Sequence, residues 1–584
     1  MHDSPGLPRQ AATLGGLDDT GPGSIRCRNA PVRCGHFSQM IEGDLQLSST
    51  TSTGRLTAAC EWLARRPPRV WRILAVGLLT VLSLLALFGA GAVVDGVRYF
   101  WLDDDQMISM RYGRNLARGY GLVWNPGEYV EGYSNFLWTL CMAAVHLLPI
   151  AAAHTAVAVE IINWALAAAI LILSERLLRV FLPVPGLAAP ALLLALAVDV
   201  DLVYWSAHGF ETTLVTAVFL LVIVRVLEEW HSGRQRVGTY ALLGLLPLIR
   251  SDALQIWATA ALLAVGLSND LRRSARLLGL SLLPAAAHLL TRHWYYGEWL
   301  PNTYYLKVAG VPGRTALGFD YLLRFAGNYC VPLVLALVGA WRSDNKAQRL
   351  LLAGSLVGAA YILIVGEDLF PYSRFLAHLV PVVLVLAAVG ATEITRRATI
   401  PQALLFVTLV VWVSFAVGAA SPDRLNDDNG EPEHGTVTGI LINRHTDPAA
   451  TIAVVAAGTV SYFADRYALD MLGKSDKHIA RETAHPGGFV GHNKFDPEYS
   501  LGHAPDLVVP FWVDKLVVDP FAIEAARKGG DEFIAAIVSS PTFVREYRSN
   551  PVPVPYLLEY NSVYIRNTSP ELAHRAQWQE PHLR

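Results

Sequence analysis

The sequence predicts a multi-span α-helical membrane protein that ends in an α/β domain outside the bilayer. Three observations carry that expectation. Of 584 residues, 53% are hydrophobic and only 16% charged, where soluble domains hold about 25% charged residues. Long apolar runs recur between residues 73 and 420, and about 20 apolar residues suffice to cross a bilayer as a helix. Beyond residue 420 the runs become short and β-branched, as at 451–457, which is the pattern of buried strands. The net charge of −2 offers no electrostatic case for nucleic-acid binding, so the partner expected from composition is the lipid bilayer.

Residues 1–68 are expected as a disordered cytoplasmic tail. The first 60 are rich in Gly, Pro, Ser and Thr without an apolar period, and the first apolar run starts near residue 70, too deep for a secretory signal. Arg65, Arg66, Arg69 and Arg72 precede the run 73–94. The positive-inside rule therefore keeps the N-terminus cytoplasmic and delivers Asp103, Asp104 and Asp105 to the outer side. Further runs near 156–174, 187–204, 211–227, 238–250, 253–268, 277–291, 321–340, 350–365, 377–394 and 401–420 bring the transmembrane domain, 69–420, to eleven crossings.

Basic loops at 225–236, 272–276, 342–349 and 396–397 then lie inside, and polar turns at 205–212, 249–253, 292–307 and 366–375 lie outside. The run 134–149 is short for a span and would spoil the odd count that separates the two ends. It is expected as a re-entrant or interfacial helix behind the acidic loop. Residues 421–584 form an extracytoplasmic α/β domain, with strands at 451–457, 507–509 and 563–565 and helices at 521–528 and 532–538. Its Gly-rich segment 485–496 carries His485 and His492, a spacing more typical of a turn or docking surface than of a metal site. The five cysteines show no close metal-ligand spacing, and none lies in the last third of the chain.

The outer turns share one composition. Asp104, Asp105, Arg111, Glu131, Glu211, Arg250, Asp252, Lys307, Asp368 and Arg374 all fall near one membrane face. Ionisable residues at that depth are costly and mark function when they face a protein interior. Each has a plainer reading: Arg250 and Asp252 as an ion pair, Lys307 or Arg374 snorkelling to the interface. Five turns that mix acid and base on one face exceed what capping needs. Trp101, Trp124, Trp138, Trp205, Trp294, Trp299 and Tyr304 accompany them, as an interfacial belt or as a wall against sugar and lipid. Carboxylates take protons from hydroxyls, and Arg and Lys hold phosphate through charge-assisted hydrogen bonds. Together these groups describe transfer of a sugar from a lipid phosphate to a hydroxyl acceptor. No Walker A sequence is present, so the leaving phosphate supplies the driving force.

The run DDQMISMRYGRNLARGYGLVWNPGEYVEGYSNFLW (104–138) stands with Gly209-Phe210-Glu211-Thr212, Arg250-Ser251-Asp252, Tyr296-Gly297, Pro301-Asn302-Thr303-Tyr304-Tyr305 with Lys307, and the turn from Gly366 to Arg374. This set resembles the integral-membrane GT-C glycosyltransferases that use polyprenyl-phosphate sugars, and among them the mycobacterial terminal β-(1→2)-arabinofuranosyltransferases. The likeness runs over residues 72–510 and departs at Gln106, where Ala is expected, and at Ser251, where Pro is common.

The resemblance implies a GT-C fold, a decaprenylphosphoryl-arabinofuranose donor, and the non-reducing ends of arabinan in arabinogalactan or lipoarabinomannan as acceptor. It implies Asp104 as the catalytic carboxylate, with Asp105 orienting the acceptor or holding a cation. Arg250, Lys307 and Arg374 would meet the donor phosphate, and Glu211 and Asp252 the sugar hydroxyls. Arg111, Glu131, Asn302, Tyr304 and Asp368 complete the implied substrate contacts. A divalent cation is compatible with the family, but no ligand set demands one. A transferase for another polyprenyl-phosphate sugar, such as mannose, is the alternative enzyme. A lipid-linked sugar transporter is the alternative class, disfavoured because no repeated halves are visible and the charges sit in outer turns rather than at the midplane.

Overall fold

The computed structural model describes residues 66–368, 370, 372–397, 430–485, 490–509, 532–553 and 560–569. Among them, five helices are long and apolar enough to cross a membrane: Pro68–Gly89, Ala152–Phe181, Leu271–Tyr296, Lys346–Val365 and Ala377–Arg396. Two bent pairs, Ala188–Ala197 with Val200–Ala207 and Arg314–Asn328 with Cys330–Arg342, raise the number to seven if each is one span. The chain is a multi-pass membrane protein.

Every described apolar run is helical, yet several are interrupted. The 238–250 run breaks ahead of Pro247 into Val237–Leu243 and Leu246–Ile249, because proline starts a helix more readily than it continues one. With its neighbour Ser251–Gly266 it forms shorter apolar helices. The run 401–420 and the expected helix 521–528 lie outside the described residues. The run 134–149 is the short helix Phe136–His146; its Trp138 and Met142 share a core with Met107 and Met110 of the acidic-loop helix.

The end of the first apolar run departs from expectation. The helix stops at Gly89, and Gly91–Val94 becomes strand β1, antiparallel to β2, Val97–Phe100. Asp95 and Gly96 turn the corner at φ 49° and 79°, the two positive φ values of a tight hairpin that Asp-Gly adopts readily.

The C-terminal sheet has the order β4-β3-β5-β7-β6. Its strands are β3 (Thr451–Val454), β4 (Tyr467–Asp470), β5 (Leu507–Val509), β6 (Tyr547–Pro553) and β7 (Tyr560–Arg566). β3 pairs in parallel with β4 and β5, while β7 runs antiparallel to β5 and β6. Pro551 and Pro553 sit in β6 at the sheet edge, where a missing backbone donor costs least.

The period of two sends alternate side chains to opposite faces. Ile452, Val454, Leu507, Val509, Val563 and Ile565 join one hydrophobic core with Met107, Met110 and Trp101. Ala453, Val508 and Tyr564 pack instead with Phe533, Ile537 and Phe543. One face of the sheet therefore shares its core with the helices Gly430–His445 and Thr459–Ala464 and with the first-loop helix, more than 300 residues earlier in the chain.

Candidate active site

The three consecutive aspartates divide three tasks. Asp103 caps the Asp104–Ala117 helix, its Oδ1 accepting from the Asp105 amide at 2.9 Å. Asp104 and Asp105 occupy the first turn, where the helix dipole favours negative charge. Asp104 turns toward the C-terminal domain. Its Oδ1 accepts from the Thr459 amide and Thr459 Oγ1, each at 2.7 Å, and its Oδ2 accepts from the Gly458 amide at 3.1 Å. A side chain at residue 458 would stand 2.8 Å from the Asp104 carbonyl carbon, so the approach requires glycine. Asp104 does not line the cavity; Asp105 does.

That cavity, of about 590 Å³, collects residues from every outer turn expected from the sequence: Asp105, Glu211, Arg250, Asp252, Tyr304, Lys307, Asp368 and Arg374. The charges are paired unevenly. Arg250 grips Asp252 through two bonds of 2.8 Å and faces Glu211 at 3.4 Å. Arg374 holds Asp368 at 2.5 and 2.8 Å, and Glu367 meets Arg324. Asp105 is shared by two cations: it bonds Lys474 Nζ through Oδ1, and Lys307 Nζ stands 3.9 Å from Oδ2. Two ammonium groups thus converge on one cavity-lining carboxylate, a place where a second anion can be held. Asp105, Asp252 and Asp368 are each held by a protein cation, and Glu211 shares Arg250 with Asp252; among the described residues no three of these carboxylates converge as metal ligands do.

Glu211 adds a hydrogen-bonding patch. Its Oε2 accepts from Gln106 Nε2 at 3.2 Å and Asn135 Nδ2 at 3.0 Å, and Asn135 Oδ1 accepts from Ser109 at 2.9 Å. Tyr133, Thr303 and Tyr361 also line the cavity. Trp101, Trp124, Trp138 and Trp205 are instead buried in the protein cores, while Trp294 and Trp299 are exposed.

Three expected substrate contacts serve the scaffold. Arg111 donates to the carbonyls of Trp124, Ser461 and Arg466 and to Asn125 Oδ1, which occupies its guanidinium. Glu131 forms a buried pair with Arg292 at 2.5 Å. Asn302 Nδ2 reaches the carbonyls of Gly473, Lys474 and Asp476 at 2.9–3.1 Å. Asn302 thus shapes the loop that presents Lys474. Asp470 does the same from the other side, accepting from the Leu472, Gly473 and Ser475 amides.

Lys474 is the residue that sequence reasoning missed. The chain has only seven lysines, and two of them meet at one aspartate; that scarcity was the available signal. His485 and His492 do not pair: His485 stacks on Phe495 at 4.1 Å, whereas His492 sits by the lysines and is pushed down to about 3 by burial and by the Lys474 and Lys307 charges.

Electrostatics separates the two aspartates. Burial pushes Asp104 up, with the Lys474 charge and the bonds from Thr459 and Gly458 pulling the other way. Asp105 is also opposed by burial, but Lys474, Lys307 and Arg374 outweigh it and hold its carboxyl far below the usual carboxylate range. Burial lowers Lys307, aided by repulsion from Lys474 and Arg374 and resisted by Asp105. Gly491, at φ 89°, lies on the Lys307 stem; a Cβ there would come within 2.9 Å of Lys307 Cε. We expect Gly491→Ala to displace Lys307 and weaken binding of inorganic phosphate several-fold by calorimetry, and unchanged binding would remove Lys307 from the anion site.

Comparison with known proteins follows this geometry. A family model described as a domain of unknown function (DUF8728) matches residues 427–555. The chain is 25% identical over 356 residues to the terminal beta-(1->2)-arabinofuranosyltransferase of Corynebacterium glutamicum, covering 54% of this chain and 51% of that protein. It is 26% identical over 274 residues to the protein of the same name from Mycobacterium tuberculosis, covering 44% and 42%. The chain spans about half the length, or less, of these curated relatives. ArnT from Cupriavidus metallidurans shares the architecture. Its apo state superposes with a TM-score of 0.53 at 11% identity, over 85% of this chain and 98% of that one. The state bound to undecaprenyl phosphate gives 0.50 at 11%, over 68% and 85%. The fold is that of the GT-C membrane glycosyltransferases, and the chain resembles the terminal arabinofuranosyltransferases.

Proposed function

We propose that this chain transfers arabinofuranose from a polyprenyl-phosphate donor, decaprenyl phosphate in its own membrane, to the non-reducing ends of cell-wall arabinan. The work is done at the outer face, with the N-terminus cytoplasmic and the α/β domain outside. The observation that carries this reading is Asp105 held between Lys307 and Lys474 on the wall of the cavity. The names of the curated relatives support the sugar, and the lipid phosphate in ArnT supports the form of the donor.

The donor phosphate enters the lysine pair, where two ammonium groups meet one cavity-lining carboxylate, and Leu254, Ala258, Leu300, Val308 and Val365 offer the isoprenoid chain an apolar wall. Glu211, held by Gln106 and Asn135, and Tyr304 meet sugar hydroxyls. The acceptor hydroxyl oxygen attacks the anomeric carbon. The carbon–oxygen bond to phosphate breaks with its electron pair going to the phosphate, and the hydroxyl proton goes to Asp105. An aspartate held far below its usual range is a weak base. The arriving phosphate neutralises the lysines that hold it there, so donor binding itself makes Asp105 a competent proton acceptor. Asp104, expected as the catalytic carboxylate, is assigned to joining the loop helix to the α/β domain.

The test is transfer by the purified full chain in detergent, from prenylphosphoryl-arabinofuranose to an arabinan acceptor, beside a prenylphosphoryl-mannose control. Product from the arabinose donor alone supports the proposal; product from mannose alone replaces it with the alternative transferase. Lys474→Met should raise the donor KM about 10–100-fold, as loss of a charged hydrogen bond does. Because burial lowers Lys307, wild-type transfer should decline on the alkaline side before an ordinary lysine titrates. Lys474→Met removes a repelling neighbour and should move that alkaline limb to higher pH; a shift to lower pH would contradict the assignment.

A further inference from the structure

We propose that His478, Glu482 and Asp496 form a binding site for one divalent transition-metal ion, zinc foremost, on the surface of the α/β domain. His478 and Glu482 flank the single turn Ile479–Arg481 as an i,i+4 pair. Asp496 arrives from a distant segment, at the N-cap of the Pro497–Gly502 helix. His478 Nε2 lies 3.1 Å from Asp496 Oδ2 and 3.3 Å from Glu482 Oε1, and all three donor atoms lie within 4.8 Å of one another. A tetrahedral zinc ion with bonds of about 2.0–2.2 Å separates its ligands by about 3.3 Å. The ion can therefore take the place of the proton on His478 Nε2 with little movement of the side chains.

Two further observations favour an ion over a simple ion pair. The first is charge. Glu482 and Asp496 both face the one imidazole, and Asp476, which caps the same turn through bonds to the His478 and Ile479 amides, adds a third carboxylate. The other cation acting on this group, Lys494, faces Glu482 but is held by the carbonyls of Tyr305, Ala309 and Ala480; a divalent cation among the three carboxylates completes the balance. The second is orientation. Tyr499 stacks on the His478 ring at 4.0 Å, donates its amide to Asp496 Oδ1 at 2.9 Å, and donates its hydroxyl to Asp476 Oδ2 at 3.1 Å. One residue thus steadies the imidazole with its ring and the Asp496 ligand with its backbone amide, the kind of outer support that metal sites use. All three ligand side chains are partly exposed, leaving the fourth position to water. A mixed imidazole and carboxylate set suits zinc or cobalt rather than magnesium or calcium. The site lies one turn beyond Lys474, and a bound ion would cross-link the 476–482 segment to 496–502.

The experiment uses the full chain in detergent, carried on a tag without histidine and stripped with a chelator. Zinc is titrated by calorimetry and cobalt by its visible absorption, for wild type, His478→Ala and Asp496→Asn. We expect one zinc per wild-type chain. In both variants affinity should fall about tenfold or more and the absorption of bound cobalt should vanish, with gel-filtration profiles unchanged. The chain has 17 histidines, so the difference between wild type and variants isolates this site. Equal binding by wild type and His478→Ala, or no binding by wild type at micromolar zinc, overturns the proposal. An intact site in a chain without transferase activity would separate it from the proposed function.

Discussion

Asp105→Asn is expected to lower the transfer rate by about 10²–10⁴-fold, the usual contribution of a positioned proton acceptor, while donor binding is kept or tightened. The asparagine fills the same space, but it cannot take the acceptor proton. It also stops competing for Lys307 and Lys474, which then meet the donor phosphate without a rival carboxylate. Steady-state kinetics with the arabinose donor would show kcat falling and donor KM falling or holding. Full kcat in this variant would remove Asp105 from the chemistry. A large rise in KM with kcat retained would make it a positioning group for the lysines.

The second large effect is on stability, one residue earlier. Asp104→Ala deletes a buried acceptor of three hydrogen bonds and leaves the amides of Gly458 and Thr459 unpaired at the N-terminus of the Thr459–Ala464 helix. Bonds to a charged group are worth about 1.5–3 kcal/mol each and do not add fully, so a loss of about 3–5 kcal/mol is expected. Asp104→Asn should lose about half as much, since its amide oxygen still serves Thr459 while its amino group faces the Gly458 donor. Thermal unfolding of the detergent-purified variants measures this. An Asp104→Ala protein that melts like wild type yet transfers nothing would return the catalytic role to Asp104.

These neighbours show where sequence reading ends. The outer turns were legible because charge in a predominantly apolar chain has to face a protein interior, and the turns do converge: Glu211, Arg250, Lys307, Asp368 and Arg374 reach one cavity. Which of two adjacent aspartates faces it was not legible. Successive helix positions differ by about 100° around the axis, and only the packed partner, Gly458-Thr459 on one side and the cavity on the other, assigns them. Lys474 was invisible because the parallel pairing of β3 with β4 brings it to Asp105 from 369 positions away. Arg111, Glu131 and Asn302 looked like substrate contacts because a polar side chain beside the expected site reads the same whether it holds a ligand or the scaffold. In the C-terminal domain β5 and the core of β7 were found from β-branched runs, whereas β4 and the proline-bearing β6 lack that pattern.

The core shared by the first-loop helix and the C-terminal sheet has a consequence for biosynthesis. Met107 and Met110 belong to one core with Val563 and Ile565, so that core, which carries the helix of Asp105, is not complete until almost the whole chain has been made. At about 5–20 residues per second, the interval is on the order of a minute. During it, the nascent protein already sits in the bilayer with an unfinished pocket. The pocket would thus be finished late and all at once, and a chain truncated before β7 would lack it.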